Sequence, residues 1–217
     1  MQKYAALKTR QRLERNDYPE ALSLRVHRAL SWLNRAEQCE EDQDGQFIFL
    51  WIAFNAAYAN ETGDIRVAEG KRFGQFLNKL VELDRNDCLS QIVWQQYPGA
   101  IRVLLNNPYV FQPFWDDQNG IEGAGDWKTH FSKANSAANA SLAQKNTGAA
   151  LSIVFSRLYT LRNQLIHGGA TWNSRVNRHQ IRDGNSILGD VVPTVIEIMM
   201  DSPTAHWGEP CYPVVQE

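Results

Sequence analysis

The chain has 217 residues, of which 43% are hydrophobic and 21% are charged, and its formal net charge is −2. This composition is typical of a soluble globular protein with a sizeable core, and it excludes an intrinsically disordered chain. The weakly acidic balance argues against a generally basic nucleic-acid binder. Because no apolar run reaches membrane-spanning length and the N-terminus is too polar for a signal peptide, we expect a cytoplasmic protein without a membrane partner.

The sequence contains no recognisable metal site. Its three cysteines, Cys39, Cys88 and Cys211, lie far apart and form no CxxC pair or His/Cys cluster, so we expect reduced, partly buried thiols. Asp116 and Asp117 are adjacent carboxylates, and such pairs in a loop are usually solvated rather than bound to a cation. We therefore expect neither a metal nor another cofactor.

Taken in order, the first part of the chain predicts helices joined by polar loops. Residues 1–16 form a basic arm or a short helix. Asp17 then begins a helix-start signal, because an aspartate cap is followed by a proline and, three residues after the cap, by a glutamate. This helix is expected to extend to about Gln38. Residues 60–70, with two glycines, form a connector before further amphipathic helices.

Residues 47–58, FIFLWIAFNAAY, are too apolar for a helix with one exposed face, so they predict a central helix buried on most sides. Asn55 and Tyr58 share a face of this helix with Trp51. An asparagine in such a helix needs hydrogen-bond partners. Asn55 therefore either braces a neighbouring core helix or, together with Tyr58, supports a functional face.

The later part of the chain predicts one long loop, three more helices and a tail. Residues 107–125 are rich in proline, glycine and aromatic side chains, and we expect this loop to pack down on the helices. A polar helix follows from Asp126, then an apolar helix and a last helix through Met199. Residues 201–217 predict an irregular tail. Since no strand alternation or internal repeat is visible, we expect an all-α protein in which residues 17–200 form a single bundle-like domain of six to eight helices.

The charges are unevenly distributed along the chain. From Trp127 to Arg182 there is no Asp or Glu, but there are eight Lys and Arg residues. This span is either a basic part that is neutralised by an acidic part of the same fold, or a surface that faces an anion such as phosphate.

The apolar helix within residues 151–169 carries the candidate chemistry. Tyr159, Asn163 and His167 are spaced four residues apart on one face, Arg162 is adjacent, and two glycines form a stop signal after the histidine. A histidine accepts and donates protons near neutral pH, and an arginine stabilises phosphate charge. In the alternative, structural interpretation, His167 only complements the dipole at the helix end.

The run Arg162-Asn163-Gln164-Leu165-Ile166-His167 resembles the R-x(4–6)-H motif of HEPN-domain proteins, in which a polar residue, often Asn, follows the Arg. The helix at residues 47–58 also resembles the early core helix of HEPN-like bundles, so the resemblance covers about residues 17–200. It implies a single up-and-down helical bundle that forms a homodimer and brings two motifs into one cleft. Active members are metal-independent endoribonucleases, many in host defence, toxin–antitoxin or RNA-processing settings. RNA is then the expected ligand, and an antitoxin or regulatory protein is a further partner that the resemblance implies.

The resemblance also implies roles for individual residues. His167 is expected to transfer protons, Arg162 to stabilise transition-state charge, and Asn163 to orient either side chain while a ribose 2′-OH attacks the phosphate. RNA contacts are expected from neighbouring residues: Arg157, Tyr159, Trp172, Arg175, Arg178, His179 and Arg182. Trp172 is either a stacking surface or a loop aromatic packed on the bundle. The alternative function is a non-catalytic HEPN-like module that binds RNA, a nucleotide or a partner protein.

Overall fold

The computed structural model describes residues 3–59, 67–123 and 125–212. These residues form an all-helical bundle with ten α-helices and no β-strand. The helices are α1 (Tyr4–Glu14), α2 (Glu20–Glu37), α3 (Gln43–Tyr58), α4 (Val67–Leu83), α5 (Cys88–Gln91), α6 (Pro98–Leu105), α7 (Gln112–Gln118), α8 (Trp127–Ala143), α9 (Thr147–Ile166) and α10 (Arg178–Asp201). Within this part of the chain, no helix is both long and apolar enough to cross a membrane.

The helices are more numerous than the six to eight expected, in part because a short helix forms in the predicted loop at residues 107–125. Residues 1–16, for which the sequence predicts a basic arm or a short helix, contain the helix α1. Its start is held by the Glu37 carboxylate of α2, which accepts hydrogen bonds from the backbone N–H groups of Lys3 and Tyr4 at 2.7 and 3.0 Å. These amides are among those that a helix start leaves without partners inside the helix, so the distant carboxylate substitutes for a local cap.

The predicted loop at residues 107–125 also contains helical structure, a 3₁₀ turn (Pro108–Val110) followed by α7. Its aromatic side chains pack edge to face against α8, Phe111 with Phe131 and Phe114 with Trp127, at centroid distances of 5.2 and 5.0 Å. Aromatic pairs in this geometry are favourable, so tertiary packing stabilises a helix of only seven residues. The expectation that this segment packs down on the bundle is confirmed.

The start of α2 lies two residues later than the sequence predicts, with the cap at Pro19 instead of Asp17. Asp17 belongs to a 3₁₀ turn (Arg15–Asp17) that continues from α1, and the cap residue of α2 is Pro19, whose side chain makes no cap hydrogen bond. Pro19 has an extended ψ of 144°, which breaks the helical path between the two helices. The predicted connector at residues 60–70 lies outside the described residues as far as residue 66, and α4 begins at Val67.

The core is centred on α3, which packs against α2 and α10, while α9 packs against α4 and α8. As expected from its composition, α3 is buried on most sides. Trp51 and Phe54 are almost fully buried, and the ring of Phe54 lies 4.3 Å from that of Phe155 on α9. Burial of one such side chain contributes about 1.5–3 kcal/mol. This aromatic cluster fixes the position of α9 and hence of its C-terminal end.

The described part of the tail packs onto the bundle. Arg25 of α2 is fully buried and donates hydrogen bonds to the backbone oxygens of Ala57, Gly208 and Glu209 at 2.9, 3.2 and 2.8 Å. Trp207 is buried, with the Lys79 ammonium 4.5 Å from its ring centre. The buried guanidinium of Arg25 thus attaches Gly208 and Glu209 to α2 and α3 through hydrogen bonds to backbone oxygens.

Candidate functional site

Helix α9 ends in a Schellman cap, as its two glycines predict. Gly168 has a left-handed φ of 70°, and its N–H donates to the oxygen of Leu165 at 3.3 Å. The N–H of Gly169 donates to the oxygen of Gln164 at 2.7 Å, and a Cβ on Gly169 would lie only 3.0 Å from that oxygen. Backbone geometry therefore favours glycine at both positions, and it fixes His167 as the residue that caps the helix.

Arg162 and Asn163 are in direct contact near this end of α9. Arg162 Nη1 donates to Asn163 Oδ1 at 2.9 Å, and the guanidinium carbon lies 5.7 Å from the ring centre of Tyr159. Arg162 Nε is buried and has no hydrogen-bond partner among the described residues. Because Asn163 Oδ1 accepts from the arginine, Asn163 Nδ2 remains as a donor for another group.

The side chain of His167 is exposed to solvent. Its backbone N–H donates to the oxygen of Asn163 at 2.9 Å, so the two residues are one helical turn apart. Within the described part of the chain, no hydrogen bond joins its imidazole to Arg162 or Asn163. The structure thus places the three predicted catalytic residues on the last turns of one helix, with two of them in contact and the third accessible to a ligand.

Arg157, predicted to contact RNA, lies inside the protein with only 3% of its surface exposed. Its guanidinium carbon is 4.3 Å from the ring centre of Phe111 and 5.5 Å from that of Phe131. Neither Nε nor Nη2 has a hydrogen-bond partner among the described residues, and burial lowers the pKa of Arg157 to about 10. Because aromatic rings enclose it, this guanidinium offers no surface contact to an RNA backbone.

The loop after the glycines is anchored to the N-terminal end of α3. Arg178 donates from Nη1 and Nη2 to the two carboxylate oxygens of Asp44 at 3.0 and 3.2 Å, and the N–H of Asn173 donates to Asp44 Oδ2 at 2.7 Å. Trp172 is 73% exposed, but its indole N–H donates to Asp42 Oδ1 at 3.1 Å. One cation of the acid-free span, Arg178, is therefore neutralised by Asp44 of α3. This agrees with the interpretation of the span as a basic part that is neutralised by an acidic part of the same fold.

Three of the residues predicted to contact RNA have exposed side chains, namely Arg175, His179 and Arg182. The side chain of Arg182 is 59% exposed and lies 3.5 Å from the Asp183 carboxylate. An exposed ion pair of this kind is weak in water, so Arg182 remains available to a phosphate.

The remaining predicted residues lie in or beside the aromatic core. Tyr159 is half-buried, with its ring centre 6.0 Å from that of Trp51. Tyr58 stacks on Phe73 at 4.6 Å, and Asn55 is half-buried on α3. These contacts place Tyr58 and Tyr159 in the packing that supports α9 rather than on an open surface.

A cleft of about 560 Å³ opens beside Asn163, between the end of α9, the start of α10 and the segment around α7. Most of its lining residues are asparagines and glutamines, and none of the described residues that line it carries a charge. Tyr109 and Trp115 add aromatic surface. The sequence contained a signal for this cleft, the density of Asn and Gln in residues 106–119 and 163–180, but only the fold brings the two segments together.

Comparison of the chain with protein-family models, with curated proteins and with solved structures gives no match. The described residues also contain no group of three or more His, Cys, Asp or Glu side chains that could hold a metal ion. The end of α9 and the adjoining cleft are therefore interpreted from their own geometry and chemistry.

Proposed function

We propose that this protein is a HEPN-like, metal-independent endoribonuclease that acts as a homodimer. The observation that carries the proposal is the end of α9, where a hydrogen-bonded Arg162–Asn163 pair lies one turn before the exposed His167 at a glycine-fixed helix end. Cleavage of RNA by its own 2′-OH needs proton transfer and a fixed positive charge, and these residue types supply both.

In the proposed reaction, the ribose 2′-oxygen attacks the adjacent phosphorus and the bond to the 5′-oxygen breaks. The products end in a 2′,3′-cyclic phosphate and a 5′-hydroxyl. His167 transfers a proton, and Arg162 stabilises the charge that develops on the phosphate oxygens. Asn163 positions Arg162, because its Oδ1 accepts from Nη1 and restricts rotation of the guanidinium.

A second copy of the chain completes the proposed site. The reaction removes one proton from the 2′-OH and delivers one to the 5′-oxygen, and one imidazole does not perform both transfers in a concerted step. A symmetric dimer that brings two α9 ends together supplies two histidines and two arginines. The exposed ring of His167 supports this arrangement, since it can meet a partner copy.

We assign binding of the RNA backbone to three exposed residues that follow α9, namely Arg175, His179 and Arg182. Arg178 is given a structural role, since Asp44 binds its guanidinium through two hydrogen bonds. Trp172 retains a large exposed ring surface beside its hydrogen bond to Asp42, so it remains a candidate stacking surface.

The test is an RNA cleavage assay in EDTA with purified protein and a labelled single-stranded RNA. We expect 2′,3′-cyclic phosphate ends, a rate reduced by about 100-fold or more in His167→Ala and Arg162→Ala, and an unchanged rate in the control His130→Ala, an exposed histidine on α8. Light scattering should give the mass of a dimer. Cleavage that persists in His167→Ala or requires a divalent metal would contradict the proposal. Absence of cleavage together with salt-sensitive RNA binding would favour the non-catalytic module.

A further inference from the structure

The cleft beside α9 differs in chemistry from the end of the helix. Its volume of about 560 Å³ lies within the range of small-molecule sites, roughly 300–1,000 Å³. Its lining is neutral, and its polar groups are mainly carboxamides from three segments of the chain. A neutral amide lining provides no charge to hold a phosphate or a carboxylate, but it offers paired donors and acceptors to a neutral polar ligand.

Part of this lining is held in place by its own hydrogen bonds. The backbone oxygen of Tyr109 accepts from Trp115 Nε1 at 2.8 Å and from Gln164 Nε2, and Gln164 Oε1 accepts from Asn177 Nδ2. These bonds link α9, the start of α10 and the segment around α7. The frame of the cleft is therefore organised before any ligand enters, which lowers the entropic cost of binding.

Other polar groups of the lining are left for a ligand. Asn119 and Gln180 make no side-chain hydrogen bond to any other described residue, and Asn163 uses its Oδ1 but not its Nδ2. Tyr109, beside them, is 53% exposed. The cleft thus combines unused amide donors and acceptors with an accessible aromatic face.

A nucleobase matches this combination. Its edges carry adjacent donors and acceptors that a carboxamide can bind in a bidentate manner, and its faces stack on Tyr or Trp rings. We infer that the cleft binds an unstacked nucleobase of single-stranded RNA, next to the phosphate that Arg162 contacts. The inference rests on the proposed function for the source of the base, and it adds a base-specific subsite to a reaction that acts only on the backbone.

Asn163 links the two parts. Its Oδ1 accepts from Arg162, and the residue also lines the cleft, where Nδ2 is the remaining donor. A base that accepts from Nδ2 would hold the amide in the orientation that positions Arg162. Binding of the base therefore favours the arrangement in which the arginine faces the phosphate.

The test uses the His167→Ala background, in which the RNA is expected to remain intact, and measures fluorescence anisotropy of labelled eight-nucleotide RNAs. Each homopolymer is compared with an oligomer of the same length that contains abasic sites. We expect at least one base-bearing RNA to bind about 5- to 100-fold more tightly than the abasic oligomer, since one stacked base is worth roughly that factor. In Gln180→Ala and Asn119→Ala this preference should fall at least threefold, while Gln144→Ala, an exposed glutamine after α8, should retain it.

Equal affinity for base-bearing and abasic oligomers, or an unchanged preference in both cleft variants, overturns the inference. Displacement of RNA by free nucleosides supports it, whereas displacement by glucose but not by nucleosides overturns it. Circular dichroism confirms that each variant is folded. Failure of the nuclease proposal is distinguished because it appears as absence of cleavage by the unmodified protein, and base preference is measured without cleavage.

Discussion

Replacement of Asp44 by alanine tests how firmly the loop after α9 is anchored. Asp44 is 8% exposed and accepts three hydrogen bonds, two from Arg178 and one from the N–H of Asn173. Removal of one partner from a buried ion pair costs about 3–5 kcal/mol, because the other charge loses its compensation. The Arg178 side chain is 25% exposed and regains water in part, so we expect a loss of about 2–3 kcal/mol.

The assay is urea unfolding of Asp44→Ala at pH 7, monitored by circular dichroism. The dependence of the unfolding free energy on urea concentration is compared between variants, because an unchanged slope shows that only stability has changed. The matched control is Asp183→Ala, whose partner Arg182 is 59% exposed at 3.5 Å, and for which we expect a loss of less than about 1 kcal/mol. A result for Asp44→Ala within about 0.5 kcal/mol of the unmodified protein would refute the reasoning. Such a result would mean that the ion pair between Asp44 and Arg178 contributes little to the anchoring of this loop.

Two further predictions concern charged groups in unusual surroundings. Arg157→Met keeps the volume between Phe111 and Phe131 but removes a desolvated charge, so we expect stability to rise by about 1–3 kcal/mol at pH 7. The folded-state pKa of Arg157 is lowered to about 10, so the unmodified protein gains stability as the pH rises above this value. The urea midpoints of Arg157→Met and the unmodified protein should therefore differ less at pH 11 than at pH 7. A loss of stability in Arg157→Met at pH 7 would contradict the prediction. The hydrogen bond from the Gly45 N–H lowers the pKa of Asp42 in the folded protein. The ionised Asp42 therefore stabilises the fold fully above the ordinary carboxyl pKa of about 4, and this stabilisation is lost as the pH falls through the lower folded-state pKa. Asp42→Ala should therefore lower stability by about 1 kcal/mol at pH 7 and by less at pH 2. An equal difference at both pH values in urea unfolding would count against this cause.

Signals confined to a few consecutive residues were predictable from the sequence. The two glycines after His167 predicted the end of α9, because the left-handed residue and the close approach of Gly169 to a helix carbonyl are local requirements. The caps of α8 and α9 are local in the same way, since Asp126 and Asn146 accept from backbone N–H groups two and three residues later. The apolar run of α3 likewise predicted its burial.

Contacts between distant residues were not predictable in this way. Asp44 and Arg178 are 134 positions apart in the sequence. The absence of acidic residues from 127 to 182 therefore did not predict that a carboxylate from outside this span would neutralise one of its arginines. The burial of Arg157 depends on Phe111 and Phe131, which lie on segments whose packing one sequence does not specify. The short helix α7 was missed for the same reason, since its stability comes from aromatic contacts with α8 and not from helix propensity.

The charged residues near the end of α9 and the neutral cleft beside it differ in chemistry, and this difference limits which ligands can contact both. Arg162 and the exposed groups at positions 167, 175, 179 and 182 suit an anion, whereas the cleft beside Asn163 is lined by neutral amides and aromatic rings. Inorganic phosphate would use only the charged part, and a neutral sugar only the amide part. Each nucleotide of a single-stranded polynucleotide carries one charged phosphate and one neutral base, so such a ligand matches the charged residues and the neutral cleft together. This pairing of chemistries, more than the Arg–His spacing alone, is what makes RNA the ligand to test first.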